Sequence, residues 1–458
     1  MTETVKLISP VDGSVYLERS PLDQGAAQAA VEAARAAQPA WAARPMADRI
    51  AMVRKAVAII GEQQDRMTTE LAHQMGRPVR YGGEFGGFEE RALYMADIAE
   101  AALAPTVIED SAAFTRKITR EAHGVVLVVA PWNYPYMTAI NTIAPALIAG
   151  NTVVLKHATQ TLKVGEHLAE AFAAAGVPSE VFQNVVLSHD TTSALIAARA
   201  FDFVNFTGSV GGGKAMEHAA AGTFTPVSTE LGGKDPGYVR ADADLDAAVD
   251  GLMDGAMFNA GQCCCGMERI YVHESLYEAF VEKAVAWVNA QKLGNPLDTE
   301  TTLGPMANVR FAATVRAQID AAVAAGATAH IAPMPADDGG AYLTPQILTG
   351  VTHDMEVMTE ESFGPVVGIM PVSGDEEAIA LMNDCQYGLT AAVFTTDAAA
   401  MEVIAPQLQT GTVFMNRCDY LDPALCWTGC KDTGHGAGLS ALGFQALTRP
   451  KSHHYRKS

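Results

Sequence analysis

The chain has 458 residues, 49% of them hydrophobic and 18% charged, enough apolar sequence for two or three packed domains and too much for a disordered chain. A formal net charge of -21 with no run of Lys and Arg argues against a nucleic-acid or anionic-membrane partner. The N-terminal MTETVKLISPVDG lacks the apolar centre of a signal peptide, no later run is long enough for a bilayer, and seven cysteines, three of them adjacent, do not resemble a disulfide framework, so a cytoplasmic protein is expected.

In chain order, residues 24–75 are Ala-rich with helical spacing of apolar positions. The segment 104–122 is polar, Thr-rich and alternating, and predicts an exposed hairpin or arm. Continuous apolar runs then alternate with helical stretches: GVVLVVAPWNYP (124–135), NTVVLK (151–156), FQNVVL (182–187), FDFVNFTGS (201–209) and PVSTELGG (226–233). That alternation predicts βαβ units and a buried parallel sheet. It restarts after residue 236, with RIYVHESLYEAFVEKAVAWVNAQ read as a strand, a Ser275 cap and a long helix. Three further strand or strand–helix units follow in PVVGIMPVSGDEEAIALMND, LTAAVFTTDAAAMEVIAPQL and GTVFMN. The tail LTRPKSHHYRKS is polar. Two such appendages on two α/β lobes suggest intersubunit strand pairing.

The candidate chemistry lies in short stretches. FNAGQCCCGMER places Cys263, Cys264 and Cys265 side by side. Zinc ligands usually come two to four residues apart, so three consecutive cysteines are not expected to converge on one ion, and the looser group Cys418, Cys426, Cys430 and His435 is not expected to hold one. In an extended segment neighbours point opposite ways, which singles out Cys264 as the residue facing a cleft. Glu230, at the end of an apolar strand, is placed for a raised carboxyl pKa and work as a base. A plain structural reading pairs it with Lys234. FTGSVGGGK (206–214) follows a strand and opens a helix, a setting that suits a pyrophosphate, although it is neither GxGxxG nor a Walker loop.

Together these stretches resemble the aldehyde dehydrogenase superfamily over nearly the whole chain, with its motifs in order: PWNYP (131–135), VLK (154–156), FTGS (206–209), ELGGK (230–234), GQCCC (261–265), LGPM (303–306), EESFGPV (360–366) and GTVFMN (411–416). The length resembles compact bacterial semialdehyde dehydrogenases. The resemblance implies an α/β fold with a Rossmann-like NAD(P)-binding domain (1–103 and 123–232), an α/β catalytic domain (233–432), and a small β oligomerisation arm and tail (104–122 and 433–458), assembled as a homodimer or homotetramer. It implies Cys264 as nucleophile, Glu230 as hydrolytic base and Asn133 as oxyanion donor. For NAD or NADP it implies Trp132, Lys156, Thr159, Gly208, Ser209, Glu361 and Phe363, and no metal.

Four departures matter. Thr159 stands where NAD-preferring members carry Glu, which leaves room for a 2′-phosphate. Ala437–Gly438 replaces an Arg–Glu pair whose Glu relays protons. Asn141 and Thr142 stand near the place of a lysine bordering that path. The N-terminus is also shorter than in the larger members. In the loop RCDYLDPALCW (417–427) Arg417 is the only cation, beside Asp419 and Asp422. With Tyr134, Tyr136, Met137, Cys265 and Trp427 as substrate neighbours, a neutral, medium-sized aldehyde is expected ahead of succinate semialdehyde. Glu230 argues against a CoA-acylating or phosphorylating relative. The intact Cys264, Glu230 and Asn133 set argues against a nucleotide-binding pseudoenzyme.

Overall fold

The structure, a computed structural model, describes residues 4–334 and 339–457; the outer bounds of the expected domains, residues 1 and 458, lie outside them. A hairpin of β1 (Val5–Ile8) and β2 (Val15–Arg19), unforeseen in the sequence, precedes four helices: α1 (Gln24–Ala43), α2 (Met46–Gly61), α3 (Gln64–Met75) and α4 (Phe85–Ala102). The Asp23 carboxylate accepts from the Ala26 N–H at 2.8 Å and caps α1, which buries Ala27, Val31, Ala34 and Trp41 at helical spacing.

The polar segment forms β3 (Thr106–Asp110) and β4 (Phe114–Ala122). Then come β5 (Val125–Ala130), α5 (Pro135–Ala149), β6 (Thr152–His157), α6 (Leu162–Ala174), β7 (Phe182–Asn184), α7 (His189–Ala197), β8 (Phe203–Thr207), α8 (Val210–Ala220) and β9 (Val227–Glu230). These strands make one parallel sheet in the order β7-β6-β5-β8-β9. Every residue of β5 and β6 is buried, as strands covered by helices on both faces require. The strand in FQNVVL stops at Asn184, short of the apolar run.

The second lobe opens with β10 (Asp235–Val239), a strand not foreseen in the sequence because its Asp-Pro-Gly start reads locally as a turn. It continues through α9 (Leu245–Met257), β11 (Met267–His273), α10 (Tyr277–Asn289), α11 (Val309–Ala324), β12 (Thr328–Ala329), β13 (Gln346–Thr349), β14 (Val366–Val372), β15 (Thr390–Phe394) and β16 (Thr412–Met415). The sheet runs β12-β13-β14-β11-β10-β15-β16 and is parallel except at β12. Ser275 does not cap α10. Its hydroxyl bonds His273 Nδ1 at 2.8 Å, and the helix starts at Tyr277 without a side-chain cap.

The tail is β17 (Thr448–Arg456), paired antiparallel with β4 in a sheet of order β17-β4-β3. The expected appendages therefore pair with each other within the chain. Before β17, a helix at Ser440–Ala446 buries Phe444 in the same core as α4 and α5. No helix among the described residues is long and apolar enough to cross a membrane.

Candidate active site

Three site segments leave the C-terminal ends of first-lobe strands, where ligands of open α/β sheets bind. PWNYP follows β5, the glycine-rich turn follows β8, and Glu230 ends β9. The cysteine triplet arrives from α9 of the second lobe. Asn259 and Ala260 adopt left-handed φ values of 54° and 55°, and the chain then closes a turn with the Gly266 N–H on Cys263 O at 3.1 Å. A side chain at Gly261 would run into the backbone of Gly364, so only glycine fits there.

That turn corrects the alternation argument. The three Sγ atoms all lie within 4.8 Å of one another. Cys263 and Cys265 are buried, their sulfurs 3.6 Å apart, and both donate to Asp419 Oδ1, at 3.1 and 3.0 Å. Cys264 is half-buried. Hydrogen bonds from Cys263 and then Cys265 pull its thiol down to about 6, while Cys263 is pushed up to about 12. Burial holds the Asp419 carboxyl well above the usual carboxylate range. The looser cysteine group does not assemble: Cys418 bonds Gly251 O, Cys430 bonds Gln409 O, and His435 meets Glu217.

Burial pushes Glu230 up to about 7, against the nearby Arg91 charge and Thr207. It does not pair with Lys234, which meets Glu268 at 2.6 Å in a buried ion pair. Gly438 has direct consequences for Glu230: a Cβ there would sit 2.8 Å from Glu230 Oε1. No glutamate fits that position without displacing Glu230. Thr142 bonds Asn205 at 2.9 Å, and among the described residues Asn141 Oδ1 is buried without a hydrogen-bond partner.

The Asn133 loop is clamped by residues that sequence reasoning missed. Arg77 donates to Asn133 O at 2.6 Å and to Asn259 Oδ1 at 3.3 Å, and forms a buried ion pair with Glu84. Glu84 in turn accepts the Tyr136 and Met137 N–H groups, both at 3.1 Å, which satisfies N–H groups that the start of α5 leaves without a partner inside the helix. Asn259 Nδ2 also reaches Asn133 O at 3.4 Å, joining the cysteine turn to PWNYP. Among the described residues the Asn133 amide side chain makes no hydrogen bond. The one signal in the sequence was the turn-prone FNAGQ.

Trp132, Tyr134, Met137, Cys264 and Trp427 belong to one apolar cluster with Cys263 and Cys265. Tyr136, expected among the aromatic neighbours, is instead fully buried and bonds His167. Cys265 is 1% exposed, behind the cleft rather than on it. The loop 417–427 lines a cavity of ≈ 120 Å³, yet its cation Arg417 turns onto the Tyr420 ring at 4.0 Å. Arg91 of α4 is also buried nearby, its charge acting on Glu84 most and then on Cys265, Cys264 and Asp419, and on Glu230. Among the described residues its side chain has one hydrogen bond, to Met137 O at 3.3 Å, and no carboxylate partner, and Nε is buried unpaired.

The residues expected to hold a dinucleotide fit one. Ser209 caps α8 by accepting from Gly212 N at 3.2 Å, and a Cβ at Gly211 would meet open space, so backbone N–H groups are free to face phosphate. Gly208 abuts the Phe206 ring. Lys156, at the end of β6, is buried without a carboxylate partner among the described residues, and burial lowers its pKa. Thr159 is exposed in the turn that follows. Glu361 accepts from Gly233 N at 3.1 Å and is pushed up to about 8 by burial and by Glu268. The Trp132 ring stacks on Phe311 at 5.1 Å and meets Phe363 edge-on at 5.4 Å.

Residues 1–453 match the aldehyde dehydrogenase family model. The chain is 34% identical over 454 residues to 2-hydroxymuconic semialdehyde dehydrogenase of Pseudomonas putida, covering 95% of this chain and 93% of that one. It is 32% identical over 448 residues to the NADP(+) succinate-semialdehyde dehydrogenase of Deinococcus radiodurans, covering 97% and 93%. The solved structure of succinic semialdehyde dehydrogenase from Streptococcus pyogenes in complex with NADP+ superposes with a TM-score of 0.94 at 30% identity over 99% of this chain and 100% of that one. PnpE in complex with nicotinamide adenine dinucleotide gives 0.95 at 28% over 99% and 94%. The chain belongs to the aldehyde dehydrogenase family, and it is an NAD(P)-dependent aldehyde dehydrogenase.

Proposed function

We propose that the protein oxidises an aldehyde carrying a remote carboxylate, a short semialdehyde, to the dicarboxylic acid. The Cys264 thiolate attacks the aldehyde carbon, and the Asn133 side-chain amide and the Cys264 N–H donate to the oxyanion of the thiohemiacetal. NAD(P)+, which Lys156, Ser209 and Glu361 would hold, would supply the hydride acceptor, and the adduct on Cys264, having lost its hydride, is a thioester. Glu230 then takes a proton from water, and the hydroxide so formed releases the acid from Cys264. Thiol and carboxyl are tuned for these tasks, Cys264 drawn down to about 6 and Glu230 raised to about 7.

The observation that carries the substrate reading is Arg91, a buried cation near Cys264 that, among the described residues, forms no ion pair and leaves Nε without a hydrogen bond, although Glu84, Asp419 and Glu230 share its field. The neutral-aldehyde expectation counted only the cations of loop 417–427. The semialdehyde relatives agree with the revised preference. A panel of succinate semialdehyde, glycolaldehyde, hexanal and benzaldehyde, followed by cofactor reduction, tests it. Succinate semialdehyde is expected to have the highest kcat/KM, and Arg91→Leu to lower that value about 10–100-fold more than it lowers the value for hexanal, as loss of a charged hydrogen bond to the substrate does. A preference for hexanal or benzaldehyde that survives Arg91→Leu refutes the reading.

A further inference from the structure

Three consecutive thiols and a carboxyl converge at the floor of the cleft. The Cys263 and Cys265 sulfurs are 3.6 Å apart, Asp419 Oδ1 is 3.1 and 3.0 Å from them, and Cys264 Sγ lies within 4.8 Å of both. A tetrahedral zinc ion with Zn–S near ~2.3 Å and Zn–O near ~2.0 Å has S···S edges of about 3.8 Å and S···O edges of about 3.5 Å. The Cys263–Cys265 edge is already within about 0.2 Å of that figure, Asp419 would withdraw by about half an ångström, a shift open to it because it sits on a loop, and Cys264, up to 4.8 Å from the other sulfurs, would close by up to about 1 Å. Cys263 and Cys265 are fixed by the turn, and Cys264 opens to the cleft, which gives an ion a way in.

We propose that Cys263, Cys264, Cys265 and Asp419 form a site for one thiophilic divalent cation of the zinc class, and that its occupancy reversibly silences the enzyme by taking the Cys264 sulfur. Each ligating thiol passes its proton to solvent as its metal–sulfur bond forms. The ion remains divalent and no electron moves. Binding therefore tightens as pH rises. Silencing rests on Cys264 as the nucleophile; binding does not.

The reduced full-length protein is titrated with Zn2+ against a chromophoric zinc indicator, and with Cd2+ while the ultraviolet sulfur-to-cadmium band is followed. One ion per chain is expected, with a cadmium–thiolate band. Cys263→Ser and Asp419→Asn are each expected to weaken binding by about tenfold or more. Zinc inhibition, referred to each variant's own chelator-treated rate, is expected to weaken in parallel. Cys263→Ala serves as a second variant, and thermal unfolding of each metal-free variant verifies its fold. Absence of the cadmium band in the parent overturns the proposal, as does unchanged affinity in all three variants, which would put the ion elsewhere, for instance on His453 and His454 of the tail. Metal binding in a protein that oxidises no aldehyde would leave the site standing and refute the function. Zinc-insensitive aldehyde oxidation would do the reverse.

Discussion

Replacing Arg77 by Met tests whether the buried clamp positions the oxyanion loop. The Arg77 and Glu84 side chains are 3% and 1% exposed, and Arg77 also donates to Asn133 O and Asn259 Oδ1 and lies 4.7 Å over the Tyr134 ring. Removing one partner of such a pair strands the other, at a cost of about 3–5 kcal/mol. Glu84 keeps the Tyr136 and Met137 N–H groups, which places the expected loss near the lower end. The sign of the pH dependence follows from the stranded carboxyl. Burial already raises Glu84 from its ordinary 4.5 against the pull of Arg77, and without that pull it rises further. The folded variant then binds more protons than the unfolded chain between 4.5 and the raised value, so its stability falls as pH rises through that window. Urea unfolding followed by fluorescence should show a larger deficit at about pH 8 than at about pH 5. Freed from its carbonyl anchor, the Asn133 loop should also lower kcat, by up to about 10²-fold for a displacement of an ångström. A variant within about 1 kcal/mol of the parent at both pH values, with unchanged kcat, refutes the reasoning.

Asn133→Ala should slow turnover about 10²–10³-fold while leaving thermal unfolding unchanged, because the amide has no partner among the described residues to lose; a normal rate rules out its oxyanion role. With Glu230 raised to about 7, kcat should climb with pH through that value, about tenfold per unit on the acid side, and Glu230→Gln should abolish the climb and accumulate thioester. The same climb in Glu230→Gln would assign it to another group. Thr159 and the unpaired Lys156 predict that NADP is used, and a kcat/KM preference for NAD above about 10²-fold would contradict this.

The sequence by itself determined which residue types carry the chemistry, in what order, and on which kind of element. GVVLVVA and NTVVLK are β-branched runs that only a strand covered on both faces accommodates, and both are wholly buried. The polar alternation of 104–122 was legible as an exposed hairpin, because period-two patterning is local, whereas the tail was legible only as polar and its pairing with β4 came from the fold. The DPG start of β10 hid a strand, since its turn signal is also local. What lay beyond reach were contacts between distant residues: Arg77 with Asn259, Lys234 with Glu268, Arg91 beside the cysteines, Asp419 beneath them. The triplet shows the reason most directly. Its residue types were plain from the sequence, but whether three sulfurs diverge or converge depends on backbone torsions. Those torsions are set by Asn259 and Ala260 in the left-handed region and by the close approach of Gly364 to Gly261, and only the folded chain imposes them.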